Sequence, residues 1–405
     1  MTTLSTAPAS PPTTRLPALL VFGGGVSAAL HIWKLPPALP ALQISLGLSL
    51  TEAGWLIGVF QLAGMLLGLL FGLFVQRLGL KPSLLWGLLL LAVASFVGAF
   101  MDSLLGLLAL RIIEGFALLL VTMAAPSLMR QLAPEGQQSF LMALWSSYIP
   151  LASMLALLGG SVLLQYLDWP SLWRLCGALS LLMALLLWRQ LSPELLGAGL
   201  QPQPWSEARR AIKQTLSAKA PWLLSLTFTL YSSQWVAIIS FLPLIYHEAG
   251  VSGGLMGVLT ALTAGANLSG NLMAGRLLQR QVAPQRLFVV AFVTMLLMAF
   301  VGFGLNLGPW VQFVAICVFS AVGGLVPATL FNLAVKVAPT LSALPMVIGL
   351  QQQWISLGQF LGPLLAAIVV NAYGWGSLWY LTGLWALLGL ATSRWLCRQV
   401  DPAEG

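Results

Sequence analysis

Residues 166–182 read YLDWPSLWRLCGALSLL, and residues 372–388 read AYGWGSLWYLTGLWALL. The two stretches align without a gap at an offset of 206 residues, with matches at Trp169/Trp375, Ser171/Ser377, Leu172/Leu378, Trp173/Trp379 and Gly177/Gly383. A second match joins Arg130, Ala133 and Pro134 to Lys336, Ala338 and Pro339. Two tryptophans and a glycine in register exceed what a leucine-rich background gives by chance. The pattern therefore predicts two homologous halves.

The composition around these stretches points to a lipid-embedded protein. Of the 405 residues, 59% are hydrophobic and only 7% are charged, whereas a soluble domain carries about 25% charged residues. In lipid, only helices and closed barrels satisfy every backbone polar group, and barrel strands alternate apolar with polar residues. The apolar runs here are long and continuous, which predicts an all-α membrane protein. The net charge of +8 comes from scattered residues and does not indicate nucleic-acid binding.

The apolar runs divide into twelve predicted transmembrane helices, because a membrane helix needs about 20 apolar residues. The predicted spans are 17–39, 52–76, 82–101, 104–130, 139–165, 170–190, 220–246, 252–277, 286–306, 309–335, 343–370 and 374–396. They form an N-terminal six-helix bundle (17–190) and a C-terminal one (220–396), joined by a linker (191–219). Residues 1–16 are expected to be a disordered tail and 397–405 a second tail.

The distribution of charge sets the expected orientation. With the N-terminus placed in the cytoplasm, 15 of the 18 Lys and Arg residues fall on the cytoplasmic side, and Glu52, Asp102, Asp168 and Glu248 fall outside. Cytoplasmic segments of membrane proteins are enriched in Lys and Arg. We therefore predict a multi-pass protein of the cell (inner) membrane with both termini in the cytoplasm. Within the linker, residues 205–216 fit either a basic amphipathic helix on the inner leaflet or a flexible tether.

One loop carries a recognisable signature. The stretch from Gly72 to Lys81 reads GLFVQRLGLK and resembles the signature between the second and third helices of the major facilitator superfamily. Gly72, Arg77, Gly79 and Lys81 match that signature, but Gln76 stands where the family usually has aspartate. In the family this loop is a latch that relays charge, and a neutral glutamine weakens that role.

Further motifs support the resemblance. Arg111-Ile-Ile-Glu114-Gly115 is similar to the family's Arg-x-x-Gln-Gly pattern, and Gly358-Gln-Phe-Leu-Gly362-Pro363 is similar to its hinge motif, of which Pro150 marks a partial copy. The resemblance implies two six-helix bundles with substrate bound between them, and conformational gating at the loop and hinge residues. The stretches around 125–126, 144–150 and 349–363 also resemble the branch that contains cyanate and nitroimidazole permeases.

His31 and Lys34 lie within the first predicted span and Arg111 and Glu114 within the fourth, where charge costs about 2.5–3.5 kcal/mol on insertion scales. His31 and Lys34 share one helical face, as do Arg111 and Glu114. We predict that they form one charged cluster in which Arg111 attracts an anionic substrate. Glu114 then carries the proton, because burial favours the neutral carboxyl, and Arg111 beside it takes part in proton coupling. The alternatives are a structural Arg111–Glu114 ion pair, a Lys34 that snorkels to the interface and a His31 that only packs.

A second predicted layer of substrate contacts is polar and aromatic. Aromatic residues in membrane helices also serve as packing or interface residues, and that interpretation stays open for each of them. The predicted contacts are Gln61, Trp145, Tyr148, Tyr231, Gln234, Trp235, Gln352 and Gln353, with Asn267 and Asn332 as further candidates.

These features predict a secondary active transporter that moves a small polar or anionic solute by alternating access, coupled to protons. The alternative within transport is proton-driven efflux of amphipathic compounds. No ATP-binding loop occurs, which disfavours a built-in ATPase. A membrane sensor or an intramembrane enzyme is the alternative from another class, and an intramembrane hydrolase is disfavoured because no HExxH or Gly-x-Ser-x-Gly pattern occurs. We expect no cofactor and no metal, since Cys176, Cys317 and Cys397 fit no metal-site spacing. The expected partners are the solute, protons and the bilayer, and the expected state is a monomer.

Overall fold

A computed structural model describes residues 15–134, 141, 144–145, 147–191, 204–251, 253–340 and 343–400, apart from the side chains of residues 72, 73 and 76, and these residues are nearly all helical. The N-terminal half contains α1 (Leu16–Trp33), α2 (Leu35–Leu46), α3 (Leu50–Gly58), α4 (Leu62–Leu78), α5 (Leu80–Gly98), α6 (Leu104–Gln131), α7 (Tyr148–Leu163) and α8 (Trp169–Gln190). After α9 (Trp205–Ser217), the C-terminal half contains α10 (Lys219–Glu248), α11 (Gly253–Gln279), α12 (Pro284–Ala299), α13 (Pro309–Gly323), α14 (Leu325–Val337), α15 (Leu344–Tyr373) and α16 (Leu378–Val400).

The helices make twelve membrane crossings, as predicted. Within the described residues, nine segments are long and apolar enough to span a bilayer, and α7 is a shorter apolar helix. The remaining two crossings are α11, with 27 residues, and α16, with 23 residues. Three crossings consist of two helices each: α1 with α2, α3 with α4, and α13 with α14. The end of the bundle that carries Arg77, Arg130 and Lys336 is called the basic side below.

The first crossing is longer than the predicted span 17–39, because the chain stays helical to Leu46. Pro36 and Pro37 have no backbone N–H, so they remove two intrahelical donors and break the helix at Lys34. They are tolerated in the first turn of α2, where N–H groups lack intrahelical partners anyway. Gly47 ends α2 in the left-handed conformation, with φ of 64°.

Other predicted boundaries change less. The last helix continues to Val400, beyond residue 397 where a tail was expected, and α9 occupies much of the predicted linker. Residues 1–14, 192–203 and the start of the predicted fifth span lie outside the described residues. Asp168 caps α8, and its carboxylate accepts a hydrogen bond from the Ser171 N–H at 3.0 Å. Hydrogen bonds from the side chain and then the backbone of Ser171 lower the pKa of this carboxyl.

The sequence repeat corresponds to repeated packing. In the N-terminal half, α8 packs on α5, and Gly177 lies against the carbonyl of Ala92. In the C-terminal half, α16 packs on α12, and Gly383 lies against Leu296. Each glycine lets its helix approach the third crossing of its own half, which explains why both stretches keep a glycine at this register.

The two halves meet along a seam in which α3 and α4 pack against α15. Glycines form one side of this seam over its whole length. A Cβ at Gly58 would contact the Phe360 backbone, and a Cβ at Gly68 would lie 2.9 Å from the Cα of Gln353. Such contacts leave no room for a larger side chain, so the glycines set the distance between the halves. A second contact between the halves joins α7 to α11.

Candidate functional site

The four ionisable residues predicted to cluster are in contact with one another. Glu114 is at the centre: its Oε1 lies 2.5 Å from Lys34 Nζ and 3.1 Å from His31 Nδ1, and its Oε2 lies 3.0 Å from Arg111 Nη1. All four side chains are buried, with at most 2% of any of them exposed. They are called the charged network below.

The break between α1 and α2 positions one side of the network. Lys34 occupies the break, where its Nζ also donates to Ser95 Oγ at 2.7 Å and lies 4.7 Å from the ring centroid of Trp173. Because Lys34 is fully buried and bound to Glu114, the snorkelling alternative is wrong. The positive charge of Lys34 is therefore part of the charged network.

Arg111 holds the other side of the network. Its Nε donates to the Leu56 carbonyl at 3.3 Å and its Nη1 to the His31 carbonyl at 2.5 Å, and its guanidinium carbon lies 4.4 Å from the ring centroid of Phe60. The second terminal nitrogen, Nη2, donates to no acceptor among the described residues. Arg111 lies seven residues beyond the start of α6, which corresponds to a depth of about 10 Å at the rise of an α-helix.

His31 connects the network to two hydroxyl groups. Its Nε2 lies 2.9 Å from Ser180 Oγ, which lies 2.9 Å from Ser27 Oγ. Its Nδ1 lies 3.1 Å from the Glu114 carboxylate and 3.2 Å from the Lys34 ammonium. A protonated Nδ1 donates to Glu114, whereas an unprotonated Nδ1 accepts from Lys34. The two hydroxyls can reverse their donor and acceptor roles, so they can pair with either tautomer of His31.

Within the part of the chain that the structure describes, every hydrogen bond of the charged network ends on a residue of the N-terminal half. The sequence did not single out Ser95, Ser180, Trp173 or Phe60 as partners. Serine and aromatic residues are common in membrane helices, so their spacing gives no distinct signal. The hydrogen bonds of the network are thus confined to one bundle, and its neighbour Trp33 makes one of the contacts with the other half.

Trp33 touches the C-terminal half directly. Its ring packs edge-to-face on Trp235 at a centroid distance of 5.6 Å. Trp235 Nε1 donates to Ser320 Oγ at 3.0 Å, and Asn267 Nδ2 donates to Tyr231 Oη at 2.8 Å and to the Ser320 carbonyl. Tyr231 and Trp235 therefore belong to a neutral polar cluster of the C-terminal half, which faces the charged network across the Trp33–Trp235 contact.

The predicted glutamine contacts divide by burial. Gln234 is fully buried, and its Oε1 has no partner among the described residues. Gln352 and Gln353 are half-buried, and Gln353 lies against Gly68 in the seam. Gln351, which was not among the predicted contacts, is fully buried, and its two amide atoms have no hydrogen-bond partner among the described residues. Three consecutive glutamines give no sequence signal for which one faces inward.

The other predicted contacts lie elsewhere. Trp145 and Tyr148 stack on each other at 4.3 Å, and the Trp145 ring packs against Gly25 of α1. Gln61 is half-buried immediately before α4. The structure does not bring these three residues into hydrogen-bonding contact with the charged network.

The predicted gating residues have varied surroundings. Gly79 has φ of 92°, which favours glycine, and the buried Lys81 donates to the Leu191 carbonyl at 2.5 Å, within the same half. Arg77 is exposed at the end of α4. The surroundings of Gly72 and of the Gln76 side chain lie outside the part of the protein that the structure describes. Gly358 and Gly362 of α15 lie against α10. Pro363 lies inside α15, beside Gly54 of the seam. Pro150 is half-buried in the first turn of α7.

Comparison with known proteins gives a family match. A family model described as Major Facilitator Superfamily matches residues 21–343 and again residues 223–404. The Methylenomycin A resistance protein of Streptomyces coelicolor is 28% identical over 153 residues, which cover 38% of this chain and 32% of that protein. Solute carrier family 2, facilitated glucose transporter member 10, of Homo sapiens is 29% identical over 147 residues, covering 36% and 27%.

The Multidrug export protein EmrB of Escherichia coli is 29% identical over 126 residues, covering 31% of this chain and 25% of that protein. The chain thus spans between a quarter and a third of the length of these curated relatives. The crystal structure of a D-xylose–proton symporter superposes with a TM-score of 0.73 at 18% identity, covering 93% and 96% of the two chains. A bacterial homologue of the human lysosomal transporter Spinster, inward-facing and occupied, gives 0.76 at 15% identity, covering 95% and 97%. At these identities the structures support the fold alone.

Proposed function

The chain belongs to the Major Facilitator Superfamily, and on that premise we propose that it is a secondary active transporter which moves a small polar or anionic solute by alternating access, coupled to protons. The family assignment makes it a membrane transporter rather than an enzyme. The nature of the solute and of the coupling is argued below from the charged network.

The charge balance of the network carries the proposal. Two basic side chains, Lys34 and Arg111, share the single carboxylate of Glu114, and all three are buried. Buried charges are normally paired, because an unpaired ion in a low-dielectric interior is costly. With a neutral His31, the network keeps one excess positive charge. A substrate anion supplies the missing negative charge, and the unused Nη2 donor of Arg111 is the group best suited to bind it.

The route to this site passes between the two halves. Trp33 adjoins Lys34 in the sequence and meets Trp235 of the C-terminal half at 5.6 Å. In transporters built from two repeats, substrate binds near the midplane where the repeats meet. We infer that a solute entering between the halves displaces this aromatic contact to reach Arg111.

Proton coupling is assigned to Glu114 together with His31. The Nδ1 atom of His31 lies between a carboxylate and an ammonium group, and it can pair with only one of them at a time. A proton that enters the network alters this choice and changes the net charge by one unit. A proton bound in the network strengthens its attraction for an anion, and by reciprocity a bound anion strengthens the binding of the proton, which favours symport of the two.

The test is a flux assay with purified protein in proteoliposomes. Small carboxylates and inorganic oxyanions are compared with cationic dyes, with and without an imposed pH gradient. We expect saturable uptake of at least one small anion that a pH gradient accelerates, and no such acceleration in Glu114→Gln. Asp102→Asn, which neutralises an exposed carboxylate, is the control and should behave as wild type. Unchanged pH dependence in Glu114→Gln would remove that residue from coupling.

The second candidate is proton-driven efflux of amphipathic compounds. Two of the relatives above have names that state methylenomycin A resistance or multidrug export. The Trp33–Trp235 contact would present two aromatic rings to such compounds when the halves separate. Dye transport that is driven by a pH gradient and is insensitive to small anions favours this candidate over the first.

We further propose that the basic side is cytoplasmic, that the protein resides in the cell (inner) membrane and that it works as a monomer. The resemblance to cyanate and nitroimidazole permeases also stays a prediction. Labelling of single cysteines at Arg77 and Tyr166, on opposite ends of the bundle, with an impermeant reagent in intact cells tests the orientation. We expect labelling at Tyr166 alone.

A further inference from the structure

Helix α9, which joins the two halves, has three distinct faces around its axis at 100° per residue. Ala208, Ala211 and Thr215 are buried against the protein. Beside them, Trp205 and Leu216 form an apolar ridge, with 58% and 38% of their side chains exposed. The next face is basic and exposed, and its members are Arg209, Arg210 and Lys213.

The buried face of α9 closes one end of the seam. Ala211 forms a small apolar cluster with Ala343 and Met346 at the start of α15, and Leu69 of α4 packs against the same cluster. α9 therefore touches both sides of the seam at its basic end. A change in the position of α9 requires this cluster to repack.

The end of α9 is fixed to the membrane-spanning region. Trp222, in the first turns of α10, donates a hydrogen bond from Nε1 to the Leu216 carbonyl at 2.9 Å. Tryptophan is typical of the boundary between lipid and water. The hydrogen bond thus places the C-terminal end of α9 at that boundary, where the ridge and the basic face can meet the membrane surface.

We propose that α9 lies along the membrane surface and binds anionic phospholipid headgroups through Arg209, Arg210 and Lys213, and that this binding holds the basic end of the seam closed. An apolar ridge adjoining a Lys/Arg face is the arrangement of helices that lie in the membrane interface. The three positive charges are complementary to an anionic leaflet, and their side chains are exposed rather than turned towards the protein. The proposal concerns regulation by lipid and does not depend on the identity of the transported solute.

Lipid binding is measured without transport, so its failure is distinguishable from failure of the proposed function. Full-length protein in neutral detergent is titrated with phosphatidylglycerol or phosphatidylcholine, and its thermal unfolding is followed. The test variant is Arg209→Gln/Arg210→Gln/Lys213→Gln. The matched control is Arg276→Gln/Arg280→Gln/Arg286→Gln, which removes three exposed charges from the same side of the bundle.

We expect phosphatidylglycerol, and not phosphatidylcholine, to raise the unfolding temperature of wild type and of the control. Because each basic residue contributes about fivefold in affinity for an anionic surface, the test variant should need about 100-fold more phosphatidylglycerol for the same effect. High salt should weaken binding in wild type, since it screens exposed charges. Equal shifts in both triple variants, or no shift in wild type, would overturn the proposal.

The effect on the seam is read by hydrogen exchange of wild type in vesicles. Amides at 343–350, at the start of α15, should exchange more slowly with phosphatidylglycerol than with phosphatidylcholine, and this difference should vanish in the test variant. If that variant does not fold, the single change Arg209→Gln must reduce the difference. Exchange that is independent of lipid in wild type contradicts the link between α9 and the seam.

Discussion

The charged network should respond unequally to loss of its acidic and its basic members. Glu114→Gln leaves Lys34 and Arg111 buried without a carboxylate, so two unpaired cations remain. Lys34→Met leaves Arg111 paired with Glu114 at 3.0 Å, and His31 is then free to donate from Nδ1 to the other carboxylate oxygen. One substitution doubles the excess charge, whereas the other removes it.

The expected loss of stability in each variant follows from the number of unpaired charges that it leaves. Removing one partner of a buried ion pair costs about 3–5 kcal/mol, and Glu114→Gln should destabilise the protein by at least that much. Lys34→Met loses hydrogen bonds to a charged group, which costs about 1.5–3 kcal/mol, but it also relieves the unpaired charge. We therefore expect Lys34→Met to be the milder variant, and the double variant to lie between the two because the sites are coupled.

Unfolding in mixed micelles of neutral detergent and SDS provides the measurement. A thiol-reactive dye is a suitable reporter, because Cys176 is buried beside the network and becomes accessible on unfolding. Asp102→Asn is the control and should stay within about 0.5 kcal/mol of wild type. If Lys34→Met proves as destabilising as Glu114→Gln, the network holds no excess positive charge, and the argument for an anionic substrate fails.

Two further substitutions probe the packing and hydrogen bonds around this site. A Cβ at Gly115 would overlap the Phe60 carbonyl, so Gly115→Ala should lower stability by about 1–3 kcal/mol, whereas Gly159→Ala, whose Cβ meets nothing within 4 Å, should be neutral or slightly stabilising. Equal melting temperatures for the two variants would contradict the close approach. Ser180→Ala leaves His31 Nε2 without its partner and should cost about 1–3 kcal/mol. It should also shift the pH profile of transport, and a profile identical to wild type would exclude the hydroxyl chain from proton coupling.

Much of the fold was predictable because a bilayer leaves few alternatives. Continuous apolar runs can only be helices there, so the twelve crossings followed from segment length, and the boundaries of α6 and α8 differ from the predicted ones by one residue. The error at the first crossing has a local cause. The predicted span ends at residue 39, yet Pro36 and Pro37 lie in the first turn of a new helix, where prolines are tolerated, and the chain continues to Leu46.

The site was predictable in part for a related reason. Because unpaired charges are costly in a membrane, the four ionisable side chains were expected to pair with one another. Their spacing along the first and fourth crossings was enough to predict this cluster. That one bundle alone completes their hydrogen bonds was not predictable, since this depends on Ser95 and Ser180, whose hydroxyls give no distinct signal in the sequence. The burial of Gln351 in place of its neighbours depends on the rotation of α15, and three identical side chains do not encode that rotation.

The offset of 206 residues exposes an asymmetry between the halves that bears on mechanism. Carried through the chain, it pairs Phe22 with Phe228 and Pro37 with Pro243, so α10 corresponds to the first crossing. The same offset pairs the members of the charged network with small uncharged residues: His31 with Ala237, Lys34 with Ser240, Arg111 with Cys317 and Glu114 with Ser320.

The costly charges are therefore confined to one bundle, whereas the corresponding centre of the other is the neutral Ser320, bonded to Trp235. In the proposed mechanism, rocking of one half against the other moves glycine and aromatic surfaces past each other, and no buried ion pair among the described residues is broken at the seam. Because separating such a pair costs about 3–5 kcal/mol, an enclosed network keeps the barrier between the two states low. The network can still change its net charge through a single bound anion or proton.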